Sequence, residues 1–276
     1  MGNCKICGQS AGWFKEYHAE CKARYKAGLD DLVSVALNAV LNPSLCDNLM
    51  DRCRSIAQPK RISDENIRDA LIVAWGKALD KFLDDGILSV EEEAHLLTFA
   101  NKFNLAQSDL DRKGQYTRAA QAGVLRDIIE GKIPQRIEFK GSIPFNLQKS
   151  ETLVWIFHNV SLLEEKTMRS YVGGYQGMSF KIAKGVYYRV GAFKGRPVET
   201  TQMVNKGVGA LGVTTKNVYF AGSQKSLRVP YNKIIQFIPY SDGIGIHTDA
   251  KTAKPIAFVT GEGWFINNLI QNLAQM

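Results

Sequence analysis

The spacing of apolar residues divides the chain into a helical part and a β-rich part. As far as about residue 131, apolar residues recur every three or four positions, which is the period of an amphipathic helix. From Ile133 the period changes to two, and glycines and short polar turns separate several of the candidate strands. The pattern therefore predicts an α+β protein in which helices precede strands.

Short local signals set the limits of the predicted helices. The first apolar stripe ends at Asn42-Pro43, since proline cannot continue a helix. Ser63 and Ser89 are candidate N-caps, and Glu92 lies three residues after Ser89, as in a capping box. The predicted helices are 29–41, 44–57, a long helix that follows Ser63 and ends at Asp85-Gly86, a helix that follows Ser89, 108–130, and a C-terminal amphipathic helix at 262–273.

The same periodicity predicts which residues face a core. In the first helix they are Leu32, Val33, Ala36, Leu37 and Val40; after Ser63 they are Ile67, Leu71, Ala74, Trp75, Ala78 and Phe82; after Ser89 they are Ala94, Leu97, Phe99, Ala100 and Phe103; in the last helix they are Trp264, Phe265, Leu269, Ile270 and Leu273. Cys46 and Cys53 are seven residues apart on one helical face, which favours a core role over chemistry.

The candidate strands are 136–140, 152–160, 178–183, 186–193, 198–204, 209–214, 217–221, 226–229, 234–240, 243–247 and 255–260. At 276 residues the chain is longer than a typical single domain. We therefore expect three parts: a short N-terminal module at 1–28, a helical domain at 29–131, and an antiparallel β-rich domain, closed by a helix, at 132–276.

Composition places the chain among ordinary globular proteins, with 45% hydrophobic and 22% charged residues. No apolar run approaches the roughly 20 residues that span a bilayer, so we expect no transmembrane segment. No secretion signal precedes the first cysteine, and the cysteines look unpaired. These features predict a protein of the reducing cytoplasm.

The net charge of +8 is unevenly distributed. Residues 62–112 carry 5 basic and 11 acidic residues, whereas residues from 113 onward carry 21 basic and 10 acidic residues. A basic surface of this kind favours nucleic acid, anionic lipid or an acidic partner. The alternative is that the acidic middle neutralises the basic end within the molecule.

The N-terminal segment carries the clearest chemical motif. Cys4, Cys7, His18 and Cys21 read C-x2-C-x10-H-x2-C, and zinc prefers four nitrogen and sulfur ligands of this kind. A helix that starts near Lys15 would direct His18 and Cys21 at one ion, because they lie one turn apart. A redox pair or a disulfide would not need His18. We therefore predict a structural Zn²⁺ site, which Trp13 and Phe14 could cover.

A second candidate site is a basic stretch in the β-rich part. Residues 166–196 contain seven basic residues interleaved with tyrosines and phenylalanines, and no acidic residue. Cations bind phosphates and aromatic rings stack on bases, so this composition suits single-stranded RNA. Phosphoinositide headgroups fit it as well, and a barrel with an aromatic core and solvated cations is the plain alternative. The predicted anion-binding residues are Arg169, Lys181, Lys184, Arg189, Lys194 and Arg196.

The remaining motifs do not indicate a function. Residues 207–212 match G-x-G-x-x-G, but strand-forming residues follow where a dinucleotide site needs a helix, so we interpret the glycines as turns. Residues 84–92 look like a calcium loop, yet Lys81 and Leu83 occupy positions that require carboxylates. His158 lies on the apolar side of its predicted strand and is expected in the core. No HExxH or P-loop motif appears, and the sequence identifies no catalytic residue.

Three blocks resemble known families. Residues 4–21 resemble a short treble-clef zinc finger. Residues 75–105, with the turn Asp84-Asp85-Gly86, are similar to TerB-like helical domains. Residues 211–235, with the strands and closing helix around them, are similar to GRAM or pleckstrin-homology (PH)-like domains. These likenesses imply fold more strongly than function.

The whole arrangement resembles the ring-activated zinc-finger RNases of bacterial antiviral immunity. That resemblance implies a defence protein that senses a phage ring-forming protein, assembles on it as a homo-oligomer and cleaves RNA. Lys5, Lys15, Lys22, Arg24 and Lys26 make the finger basic, which is compatible with an RNA substrate. The alternative is a non-enzymatic adaptor that binds proteins through the finger and helices and binds lipid or peptide through the β-rich domain.

Overall fold

The computed structural model describes residues 2–12, 15–136, 138–139, 142–172, 180–183, 186–188, 196–250 and 254–276, and only the backbone between 167 and 200. The chain is α+β, with an N-terminal Cys/His cluster, helices in the middle and a curled antiparallel sheet with a final helix. It forms two compact units, Met1–Glu130 and Gly131–Met276. The division into three domains stays a prediction, and its boundary at residue 28 falls within a helix.

The first unit is a short hairpin followed by helices. Its elements are β1 (Gly2–Asn3), β2 (Ser10–Gly12), α1 (Ala19–Leu41), α2 (Leu49–Ala57), α3 (Asp64–Phe82), α4 (Val90–Lys102), α5 (Gln107–Leu110) and α6 (Gln115–Ile129), with 3-10 turns at Pro43–Cys46 and Gln58–Lys60. The predicted helix 44–57 is therefore a 3-10 turn followed by α2. Among the described residues, no helix has both the length and the hydropathy needed to traverse a bilayer.

The helical core forms where the apolar stripes predict it. Every predicted core residue of α1 and α3 is buried or packs against the core. Trp75 is 2% exposed, and its indole N–H donates to the carbonyl of Leu96 at 3.0 Å, which joins α3 to α4. In α4 the prediction was partly wrong, because Leu96 is buried whereas Leu97 is exposed.

The two core cysteines are confirmed as buried. The thiol of Cys46 donates to the carbonyl of Ala39 at 3.3 Å, and burial raises the pKa of both Cys46 and Cys53. A raised pKa keeps these thiols protonated and unreactive, so they act as small apolar side chains.

Polar side chains cap the starts of α3 and α4, and one predicted helix is interrupted. Ser89 and Glu92 form the predicted capping box at the start of α4. The predicted helix 108–130 is instead α5, a turn and α6. Its break lies at Gly114, which has φ 72°, and at Asp111, whose carboxylate accepts hydrogen bonds from the backbone N–H and hydroxyl of Thr117.

The second unit is a seven-stranded antiparallel sheet with one helix. Its elements are β3 (Leu153–Val172), β4 (Phe180–Ala183), β5 (Val186–Tyr188), β6 (Arg196–Thr214), β7 (Asn217–Gly222), β8 (Ser226–Pro230), β9 (Ile234–Tyr240), β10 (Gly243–Thr248), β11 (Ile256–Val259) and α7 (Gly263–Leu273). The strand order is β8-β7-β6-β3-β11-β10-β9, and β4 and β5 form a separate hairpin. The described part of the predicted strand 136–140 is not a strand.

Strands β3 and β6, which pair with each other, are longer than the sequence pattern predicted. The predicted strands 198–204 and 209–214 are one continuous strand, and the glycines between them are not turns. A Cβ on Gly209 would lie 2.2 Å from the carbonyl oxygen of Ala221, and one on Gly212 would lie 2.5 Å from the Phe145 ring. These glycines therefore let β7 and Phe145 approach β6, and no helix follows them to bind a dinucleotide.

The prediction that His158 lies in the core was wrong. The pairing of β3 with β6 shifts between Phe157 and Val160, where Asn159 adopts φ 57°. This β-bulge inserts one residue, so Phe157 and Val160 are both buried while His158 is exposed. Alternation across a strand is lost wherever a bulge interrupts it.

The closing helix α7 covers the sheet with its predicted apolar face, except that Trp264 is 57% exposed. The Phe265 ring lies 4.8 Å from the ring of Trp155 and 5.8 Å from that of Phe157, measured between centroids. The side-chain amide of Asn267 donates to the carbonyl of Gly243 at 2.9 Å. These contacts fix α7 against β3 and β10.

The carboxylate of Glu151 links residues at the start of the sheet through hydrogen bonds. Glu151 accepts hydrogen bonds from the Thr214 hydroxyl, the Asn217 amide at 2.7 Å, the Tyr219 hydroxyl at 2.8 Å and the Gln148 backbone N–H at 2.8 Å. Burial alone would raise the pKa of Glu151, but these hydrogen bonds outweigh it and hold the pKa below its ordinary value. The network stabilises the ionised form in the folded state.

We predict that Glu151→Gln lowers the free energy of unfolding at pH 7 by about 1–3 kcal/mol, because a charged acceptor of four donors is lost. A lowered folded-state pKa adds stability above the unfolded value of about 4.3, and this stability disappears as the pH falls through the folded value. Urea unfolding at neutral and acidic pH should show the two proteins converging in acid. The exposed Glu138→Gln is the control, and a difference independent of pH would contradict the prediction.

Candidate metal centre

The first two ligand candidates lie in a tight turn between β1 and β2. The backbone N–H of Cys4 donates to the carbonyl of Gln9 at 2.7 Å, and the N–H of Gly8 donates to the carbonyl of Cys4 at 2.8 Å. Gly8 adopts φ 78°, a conformation that glycine enters without steric cost, as its position after the turn predicts. The turn presents Cys4 and Cys7 on one side.

The other two ligand candidates lie at the start of α1. His18 is the residue before the helix, and the N–H of Lys22 donates to its carbonyl at 3.0 Å. Cys21 follows within the first turn. The helix begins at Ala19 rather than near Lys15, but His18 and Cys21 still face the same point, as predicted.

The four side chains converge with a spacing that suits a metal ion. The Sγ atoms of Cys4, Cys7 and Cys21 and one ring nitrogen of His18 all lie within 4.8 Å of one another. His18 Nδ1 lies 3.3 Å from Cys7 Sγ and 3.7 Å from Cys21 Sγ. In a tetrahedral zinc site, bond lengths of about 2.0–2.3 Å place such atoms about 3.6–3.8 Å apart. The cluster can therefore hold a metal ion, and its soft donor set suits zinc.

A backbone hydrogen bond sets the tautomer of His18. Its Nε2–H donates to the carbonyl of Ser10 at 2.9 Å, which leaves Nδ1 free to bind a metal. Metal-binding histidines commonly have such a partner for their second nitrogen. The sequence motif did not identify Ser10, because a backbone carbonyl leaves no signal in residue type.

The thiols differ in how readily they ionise. Burial opposes ionisation of Cys4, but nearby backbone N–H groups outweigh it and lower the pKa of its thiol to about 6. Burial, with hydrogen bonding to the Cys7 and Cys4 thiols, raises the pKa of Cys21 to about 11. The hydrogen bond to Ser10 raises the pKa of His18. Metal binding must therefore displace a proton from Cys21, whereas the lowered pKa of Cys4 favours its thiolate.

The cluster has no rival among the described residues. No other group of three or more His, Cys, Asp or Glu side chains there is close enough to bind a metal. In the acidic turn after α3, Asp85 accepts from the N–H of Ile87, and Glu92 is used in the capping box. All five cysteines are free, so the disulfide alternative is absent. Trp13 and Phe14, the predicted cover, lie outside the described residues.

The predicted anion-binding residues lie in a different part of the molecule. Residues 166–172 of β3 pair with 196–202 of β6 and, among the described strands, with no other. Arg169 and Arg196 are in this two-stranded extension, and Lys181 is in β4. Lys184, Arg189 and Lys194 lie outside the described residues. Anion binding by this set stays a prediction.

Comparison with models of known protein families finds no match, and a search of curated proteins finds none either. The family resemblances drawn from the sequence therefore gain no support from these comparisons.

We predict that purified full-length protein contains about one zinc per chain and that Cys4→Ala abolishes it, because zinc needs all four ligands of a closed site. Elemental analysis measures the content directly. The core variant Cys53→Ala is the matched control and should keep its metal. Unchanged zinc in Cys4→Ala would reject the site.

Proposed function

We propose that this protein is a bacterial anti-phage effector that assembles as a homo-oligomer on a phage ring-forming protein and cleaves RNA. The Cys3His cluster carries the proposal. It is the feature that the resemblance to ring-activated zinc-finger RNases requires, and its geometry supports metal binding independently of that resemblance.

The proposed zinc is structural. Cys4, Cys7, His18 and Cys21 supply four protein ligands, which fill a tetrahedral shell and leave no position for a substrate. When bound, zinc would hold the hairpin β1–β2 against α1. RNA cleavage would need a base for the 2′-hydroxyl, an acid for the leaving oxygen and cations for the phosphate. The basic residues proposed for the last role are Arg169, Lys181, Lys184, Arg189, Lys194 and Arg196.

The two larger parts have proposed relatives as well. We propose that the helices form a TerB-like domain and the sheet a PH/GRAM-like domain. The strand order β8-β7-β6-β3-β11-β10-β9 with α7 at the end of the chain supports the second likeness, because an antiparallel sheet closed by one C-terminal helix is the outline of a PH-like barrel.

One observation favours the adaptor alternative. A cavity of about 750 Å³ in the sheet unit is lined by Lys225, Arg228, Lys233 and Lys254. Glu164 pairs with Lys225, and Asp249 pairs with Lys233 at 3.2 Å. Arg228 and Lys254 pair with no described carboxylate, so the cavity could accept an anionic headgroup or peptide.

We predict that the purified protein degrades RNA when a lysate of phage-infected cells is added and leaves RNA intact without it. Gel analysis of a labelled RNA measures cleavage, and Cys4→Ala should remove it because the finger no longer folds. Lysate of infected cells without the purified protein is the control for nuclease contamination. Intact RNA in every reaction, with saturable binding of the protein to anionic liposomes, would contradict the proposal and support the adaptor.

A further inference from the structure

A groove separates the metal cluster from the connection between α2 and α3. Its volume is about 430 Å³, and Lys5, Tyr17, Lys22, Tyr25, Arg61 and Asn66 contribute to its walls. A smaller cavity of about 90 Å³ is lined by Cys7, Cys21, Arg24 and Arg61. We call the two together the finger groove.

The finger groove carries positive charge that no carboxylate of the described residues neutralises. Lys5 pairs with Glu16 at 2.9 Å, and Lys60 pairs with Asp31 at 2.7 Å. By contrast, Lys22, Arg24 and Arg61 are exposed, and none of them pairs with a carboxylate of the described residues. Three unpaired cations at a concave surface attract anions more strongly than scattered surface lysines do.

Arg61 occupies a position where glycine is the usual residue. It follows the 3-10 turn Gln58–Lys60 with φ 54° and ψ 40°, a left-handed conformation that a side chain disfavours. Its connection packs closely on α1, since a Cβ on Gly28 would lie 2.5 Å from Lys60 Cδ. The backbone here favours glycine, so the arginine side chain is not explained by the turn.

Two tyrosines accompany the cations. The Tyr25 hydroxyl donates to Asn66 Oδ1 at 2.9 Å, which anchors its ring between α1 and α3. Tyr17 is 38% exposed, with Lys5 Nζ 5.8 Å from its ring centroid. Aromatic faces beside unpaired cations are the combination that binds bases and phosphates of single strands. The volume is in the range of small-molecule sites.

We propose that the finger groove binds single-stranded RNA. Lys22, Arg24 and Arg61 would contact the phosphates, and the ring of Tyr17 would stack on a base. The inference rests on the proposed function in that RNA is the substrate. It adds a site in the first unit, separate from the basic stretch in the second. Because Cys7 and Cys21 line the groove, a bound metal would also shape it.

The test measures binding without cleavage. Fluorescence polarisation of a short 2′-O-methyl oligouridylate reports binding by the full-length zinc-loaded protein, since blocked 2′-hydroxyls prevent cleavage. For Lys22→Ala/Arg24→Ala, Kd should rise on the order of tenfold. The negative slope of the logarithm of the association constant against log salt should become shallower by about 1.4, since each phosphate contact on a single strand contributes about 0.7 to its magnitude. Arg52→Ala/Lys77→Ala, which removes two exposed cations outside the groove, is the matched control.

The variant Arg61→Gly distinguishes a loss of RNA binding from a loss of protein stability. It should weaken RNA binding and make the negative salt slope shallower by about 0.7, while the thermal midpoint stays the same or rises because glycine adopts this backbone without strain. A lower midpoint with unchanged binding would show that Arg61 is structural and would overturn its role.

The outcomes distinguish the inference from the proposed function. Groove variants that bind RNA like the control would overturn the inference even if the protein cleaves RNA. Groove-dependent binding without any cleavage would support the inference and contradict the proposed function. No RNA binding by the full-length protein would overturn the inference, as would groove-dependent binding to anionic vesicles with RNA binding unchanged.

Discussion

Convergence of four ligand atoms is the constraint on which the N-terminal structure depends. Among the described residues of 2–18 only Cys4 and Ala11 are buried, so these residues bury little apolar surface that could stabilise the segment. A metal held by Cys4, Cys7, His18 and Cys21 would supply the missing free energy, as in other small metal-folded modules. Two ligands belong to the start of α1, and the far end of α1 lies in the helical core. The same helix therefore links the metal cluster to the core of the first unit.

That linkage gives the finger groove its shape. One wall carries Cys7 and Cys21, and the opposite wall is the connection that packs on α1 at Gly28. The groove cations lie on both walls, with Lys22 and Arg24 on α1 and Arg61 on the connection. If the metal orders the hairpin, it also sets the distance between these cations. A structural metal can therefore influence ligand binding without touching the ligand.

In the part that the structure describes, the second unit is stabilised by contacts within its sheet rather than by a cluster of metal ligands. Its sheet depends on a long ladder between β3 and β6, on glycines that allow close packing, and on the Glu151 network at one end. Its cavity also has basic walls, but two of the four cations there are paired with carboxylates. Among the described residues, the finger groove has three cations without a paired carboxylate, against two in this cavity, and it adds aromatic rings. These features of the finger groove suit RNA, whereas the cavity of the second unit suits the anionic ligand of the adaptor alternative.

The sequence by itself determined the features that arise from local spacing: the α+β class, the stripes of α1 and α3, the capping box at Ser89 and the convergence of four possible metal ligands. Each depends on residues within a few turns or one short hairpin. Only the tertiary structure decided which glycines lie inside β6, where the bulge at Asn159 turns His158 outward, and which cations remain unpaired around Arg61. These features depend on the register of distant strands and on which loop packs against which helix. Residue periodicity contains no information about such contacts, because they join positions far apart in the chain.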